Sequence, residues 1–148
     1  TRRPPRRARR AALAALRAPP TKQITFLFCK KRYKATKQQL LNNSRPEIGG
    51  RYGFKSVCFG HAGDGNLHVN IIKGEMSDED WNNKLTFGIR EIFELTKNLG
   101  GTISGEHGIG LVQKDYLDIV LSDKNIEIQR GIKKLFDPNQ VLNPGKIF

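Results

Sequence analysis

The chain has 148 residues, 37% of them hydrophobic, which is enough for one domain with a real core. Lys and Arg number 26 against 14 Asp and Glu, but the resulting net charge of +12 is local: residues 1–55 carry sixteen Lys or Arg against Glu47 alone, and the remainder is net −3. The overall charge therefore says nothing about what the last two-thirds bind. Two cysteines, Cys29 and Cys58, with no secretory signal ahead of them, argue against a disulfide framework, and no apolar run approaches the roughly eighteen residues that span a bilayer.

Residues 1–23 are mostly Arg, Ala and Pro, with Pro4, Pro5, Pro19 and Pro20 bracketing a stretch, Arg6 to Arg17, that suits a short Arg/Ala helix. Three readings stand open for it: an Arg-rich, acid-poor transit segment, a nucleic-acid-binding arm, or an out-of-frame stretch joined to a genuine coding region. Residues 24–50 offer one apolar run, Ile24 to Phe28, and no convincing element. The N-terminal third is accordingly expected to be irregular or disordered, and the chain divides into a basic segment, 1–50, and a domain, 51–148.

From Tyr52 the character changes. Ser56 to Phe59 reads as a strand end, a glycine-rich turn follows, and Leu67 to Ile72 alternates as a strand, with Leu67, Val69 and Ile71 on one face and His68, Asn70 and Ile72 on the other. Ser77 is placed to cap a helix whose first turn holds Asp78, Glu79 and Asp80, where the helix dipole favours acids. That helix should run to about Asn98. Its stripe is Trp81, Leu85, Ile89, Ile92, Phe93 and Leu99, and Gly100-Gly101 stops it. A second helix is expected from Lys124 to Phe136, with Ile128, Ile132 and Leu135 on one face and Asp137-Pro138 ending it. Strands mixed with helices give an α+β class.

All three histidines sit in glycine-rich segments, where backbone can approach a ligand closely. One segment runs Gly60-His61-Ala62-Gly63-Asp64-Gly65-Asn66-Leu67-His68. On a continuous strand His61 and His68 would face opposite ways, but a turn at Gly63 to Gly65 lets them converge. The other runs Gly101-Thr102-Ile103-Ser104-Gly105-Glu106-His107-Gly108. Two histidines and a carboxylate suit zinc or another divalent transition metal with open positions for substrate. The competing reading is that the glycines mark tight turns and the histidines are ordinary surface or hydrogen-bonded residues. A structural zinc site from Cys29, Cys58, His61 and His68 lacks the usual ligand spacing, and neither glycine-rich segment has the order of a nucleotide-binding loop. Asp64, between two glycines, reads as a turn former.

At these residues the chain resembles the C-terminal region of the FAD-linked oxidase family, the group that includes D-lactate dehydrogenases, glycolate oxidase and D-2-hydroxyglutarate dehydrogenase. Three motifs carry the resemblance: Gly60 to His68, Gly101 to Gly108, and Phe136-Asp137-Pro138 followed by Leu142-Asn143-Pro144-Gly145-Lys146. It implies the C-terminal substrate-domain (cap-domain) portion of a vanillyl-alcohol-oxidase-type flavoprotein, antiparallel strands with packed helices. It further implies oxidation of a D-2-hydroxy acid to the 2-oxo acid, with His61, His68 and Glu106 binding zinc or manganese and His107 as general base. Asn70 would contact substrate, and Asn143 and Lys146 would lie close to FAD, although Asn-Pro-Gly makes a turn on any fold.

Family members are longer, with an N-terminal flavin domain. The expectation is therefore that FAD is bound mainly by a domain outside these residues and that the chain alone is inactive. The expected partners are a small 2-hydroxy acid, an electron acceptor of unknown kind and the flavin domain, with no nucleic acid and no transmembrane segment. The expected compartment is the cytoplasm, with the mitochondrial matrix as alternative. Two other functions stay in view: a basic nucleic-acid-binding protein acting through residues 1–50, and a metal-binding remnant without catalysis.

Overall fold

A computed structural model describes residues 21–28, 35–61 and 65–148, with side chains from residue 44 onward. The strands are β1 (Thr21–Phe28), β2 (Lys55–His61), β3 (Asn66–Ile72) and β4 (Gly101–Thr102). The helices are α1 (Ala35–Tyr52), α2 (Asp78–Asn98), the single turn α3 (Leu117–Val120) and α4 (Asp123–Phe136), with a 3-10 turn at Lys114–Tyr116 before α3. The strands form one antiparallel sheet in the order β2-β3-β1-β4. The expected α+β class is met, and no described helix is long and apolar enough to cross a membrane.

The expectation of an irregular or disordered N-terminal third is overturned over its described part. β1 is an interior strand, pairing with β3 on one side and β4 on the other. α1 is an eighteen-residue helix although it contains Pro46 and Gly49-Gly50, residues that disfavour helix interiors. Tertiary contacts outweigh those propensities. Ile48 is buried in the core, and the buried Arg45 donates from Nη1 to Ser56 Oγ at 2.8 Å, joining α1 to the edge strand β2. The Arg/Ala stretch 6–17, Cys29 and Asp64 lie outside the described residues.

β3 organises the domain. Its Leu67, Val69 and Ile71 are fully buried against Trp81, Leu85, Ile89, Ile92 and Phe93 of α2, so the period of two on the strand meets the three-to-four spacing of the helix. α2 begins as expected: Ser77 Oγ accepts from the Asp80 backbone N–H at 3.0 Å, and the three acids fill the first turn. It ends where Gly100, at φ +84°, donates its N–H to the Lys97 carbonyl at 2.8 Å. At Gly88 of α2 a Cβ would stand 3.1 Å from Tyr52 Cδ2, at the end of α1, and 2.4 Å from Cε1 of Phe54 just beyond it, so the small residue lets the end of α1 and the turn after it close on α2.

α4 starts one residue before the expected Lys124, capped by Ser122, whose Oγ accepts from the Asn125 N–H at 3.3 Å. Its stripe of Ile128, Ile132 and Leu135 faces outward, and within α4 it is Ile126 that packs on the core. Cys58 is a free, half-buried thiol whose pKa burial pushes up.

Candidate active site on the second face of the sheet

Leu67, Val69 and Ile71 take the core side of β3, so Asn66, His68 and Asn70 take the other. The β2–β3 register sets His61 opposite Asn66, Phe59 opposite His68 and Val57 opposite Asn70. Directly paired residues share a face, so the antiparallel turn after His61, closed by the Gly65 N–H bonding to the His61 carbonyl at 3.0 Å, places both histidines on one surface. Their rings lie 6.0 Å apart, edge to face.

Glu106 and His107 arrive from the other edge. β4 pairs with β1 at Leu27↔Thr102 and Phe28↔Gly101, and the next residue, Ile103, is anchored in the core. These two constraints turn the following glycine-flanked segment over the sheet face. Glu106 Oε1 stands 3.3 Å from His68 Nε2 and 3.4 Å from His107 Nε2. The His68 and His107 rings are 5.2 Å apart.

His61, His68 and Glu106 each present one ligand atom, and the three atoms lie within 4.8 Å of one another. Two imidazoles and one carboxylate, with His68 buried and the other two exposed, can hold a divalent metal and leave positions open for a bound molecule. Two further features fit a site that receives a ligand. Asn66 and Asn70 each bury a side-chain carbonyl oxygen that makes no hydrogen bond among the described residues. An unpaired buried acceptor costs about 1–3 kcal/mol, which a ligand or a metal-fixed donor can recover.

Asn143 and Lys146 are not among the converging donors and lie in the terminal turn. Lys146 Nζ donates to Asn143 Oδ1 at 3.0 Å, and Asn143 itself adopts a positive φ of 47°. The turn is nevertheless tied to the loop that follows His107: the Ile147 N–H reaches the Gly110 carbonyl at 2.9 Å, and Lys114 Nζ reaches the Gly145 carbonyl at 3.1 Å. Asp137 holds the start of this segment. Its buried carboxylate accepts from the backbone N–H groups of Val141, at 2.9 Å, and Leu142, at 3.0 Å, and from Lys133 Nζ. That ammonium, first, and the two amides hold the carboxyl below its usual range. A cavity of about 310 Å³ lined by Arg130, Lys133, Lys134, Asp137 and Phe148 contains none of the clustered His or Glu residues, whereas one of about 190 Å³ is lined by His107 and the Gly108–Gln113 loop.

Two residues here were not singled out by sequence reasoning. Phe59 stacks on His68 with centroids 5.0 Å apart and planes at 15°. Asn66 is 4% exposed and sits across from His61. The signal for both was the hairpin register, which depends on how the turn closes.

The family model for FAD linked oxidases, C-terminal domain, matches residues 7–147. Among curated proteins, the chain is 45% identical over 96 residues to a D-2-hydroxyglutarate dehydrogenase of Stutzerimonas stutzeri, covering 64% of this chain and 21% of that protein. It is 37% identical over 142 residues to the glycolate oxidase protein GlcD of Bacillus subtilis, covering 95% of the chain and 29% of the relative. It is 42% identical over 94 residues to a D-lactate dehydrogenase of Anaerostipes hadrus, covering 64% of the chain and 20% of the relative. The chain thus spans between a fifth and three-tenths of the length of these relatives, and the family model's match runs through β1, α1 and the sheet-face cluster alike. It belongs to the FAD-linked oxidase family, as that family's C-terminal domain.

Proposed function

We propose that the chain forms the substrate-activating side of an FAD-dependent dehydrogenase of D-2-hydroxy acids, within a vanillyl-alcohol-oxidase-type flavoprotein. The observation that carries this reading is the convergence of His61, His68 and Glu106 with His107 at its edge. The names of the relatives supply the substrate class.

In this reading His61, His68 and Glu106 hold a divalent cation, zinc or manganese. Such a cation, when bound, neutralises a carboxylate and makes a neighbouring hydroxyl more acidic, while the flavin supplies the hydride acceptor. His107 takes the substrate's hydroxyl proton. Its Nε2 stands 3.4 Å from Glu106 Oε1 and its ring 5.2 Å from that of His68, beside the donors that would hold the substrate, and imidazole is a side chain suited to proton transfer. Asn70, with its unpaired carbonyl oxygen two residues from His68 on the same face, contacts the substrate. The terminal turn bearing Asn143 and Lys146, fixed to the Gly110 carbonyl through the Ile147 N–H, gives this chain's contribution to flavin binding, and the remaining flavin contacts come from other residues of the flavoprotein.

The test is calorimetric binding of D-lactate and D-2-hydroxyglutarate to the metal-stripped chain, the zinc-loaded chain and zinc-treated His68→Ala. The expected result is about one zinc per wild-type chain, none retained by the mutant, and hydroxy-acid binding that requires the metal. Hydroxy-acid binding indifferent to metal, or no zinc uptake at all, would overturn the reading.

A further inference from the structure

Asn66 is the first residue of β3 and 4% exposed, a position where burial alone would favour an apolar side chain. Its Oδ1 is buried without a hydrogen bond among the described residues. In the hairpin register it lies directly across from His61, and residues so paired carry their Cβ atoms about 4.5–5.5 Å apart on one face. It also precedes His68 by two residues on that face. Asn66 therefore neighbours both histidines on this face, His61 across the ladder and His68 along the strand, and belongs to neither the donor set nor the base.

An imidazole that gives one ring nitrogen to a metal carries a hydrogen on the other, and that N–H needs an acceptor which also fixes the ring plane. The His61 carbonyl already accepts from the Gly65 N–H and the ring is exposed, so water could satisfy its N–H but would not fix its plane; a side-chain acceptor on the partner strand would. The neutral amide oxygen across the ladder matches the need: it is buried, unpaired and within side-chain reach. We propose that Asn66 Oδ1 accepts the ring N–H of metal-bound His61, and so is a positioning residue that sets the ligand's tautomer and orientation. The proposal rests on the metal-site reading above and deepens it.

A purely structural asparagine would lower stability when removed. A positioning one, unpaired until metal binds, should leave the metal-free fold unharmed and weaken the metal alone.

The experiment is a cobalt(II) titration, read by visible absorption, of the metal-stripped full chain as wild type, Asn66→Ala, Asn66→Asp, His61→Ala and the Asn66→Ala/His61→Ala double variant, with the melting temperature of each metal-free protein beside it. The expected result is a loss of about tenfold to a hundredfold in cobalt affinity for Asn66→Ala. Its metal-free Tm should be equal to or above that of wild type. Asn66→Asp, which retains an acceptor oxygen, should bind at least as tightly as wild type, and in the His61→Ala background Asn66→Ala should change affinity less than about twofold. An equal loss in both backgrounds, a lowered Tm for the metal-free Asn66→Ala chain, or wild-type affinity in Asn66→Ala would overturn the assignment to His61. No cobalt binding by wild type would instead overturn the metal site, and this proposal with it.

Discussion

Gly60→Ala tests whether the site depends on the closeness of the β2–β3 hairpin. A Cβ at position 60 would stand 2.1 Å from the Asn66 carbonyl oxygen and 3.0 Å from Leu67 Cα. Both are backbone atoms of the partner strand, so no rotamer change relieves the clash. Restoring ordinary contact requires the strands to part by about 1 Å at the pair next to His61↔Asn66. Overpacking of this kind costs about 1–3 kcal/mol, and at roughly 2–4 °C per kcal/mol for a chain of this size a middle value of about 2 kcal/mol lowers Tm by roughly 4–8 °C. The same displacement moves His61 away from His68. Metal–ligand distances tolerate only about 0.2 Å, so cobalt affinity should fall by more than about tenfold even below the melting transition. Calorimetry of the metal-free chain and cobalt titration at room temperature measure the two effects. Gly131→Ala is the control: its Cβ meets nothing within 4 Å in the interior of α4, and the change should be neutral or stabilising by up to about 1 kcal/mol. A Gly60→Ala chain with wild-type Tm and wild-type cobalt affinity would refute the reasoning.

Phe59→Leu removes the ring stacked on His68; at about 0.5–1.5 kcal/mol for such a pair, cobalt affinity should drop by up to roughly tenfold, while Phe59→Tyr keeps it, and equal losses in both variants would show that stacking is not the cause. Asp137→Asn should loosen the terminal turn. Because the folded carboxyl lies below its unfolded pKa, its contribution is present above the ordinary carboxylate range and is lost as pH falls through the folded value. Urea denaturation from neutral pH down into the acid range should therefore show a wild-type advantage over Asp137→Asn that is steady near neutrality and closes in acid; a gap that widens in acid would contradict the charge pairing with Lys133.

Features that depend on local chemistry were legible along the chain. The cap at Ser77, the acidic first turn and the α2 stripe are neighbours in sequence, and each appears where its pattern placed it. The alternation of Leu67 to Ile72 likewise sorted core from site face correctly. α1 was not legible because Pro46 and Gly49-Gly50 argue locally for a break, and what holds the helix is distant: the α2 surface at Gly88 and Ser56 on β2. β1 failed for a related reason, since an eight-residue strand with mixed polar and apolar residues gains its meaning from having a partner on both edges.

Residue order and local pattern were enough to supply the donor inventory, three histidines and one carboxylate in glycine-rich segments, and the apolar periods that would bury β3 against α2. Whether those donors meet was settled by the folded chain alone. Residues 61, 68 and 106 are brought together by an antiparallel register and by β4 docking on β1, and register is a property of paired strands that no single strand's composition specifies. The same pairing put Asn66 across from His61, and that juxtaposition becomes chemical only when the hairpin closes.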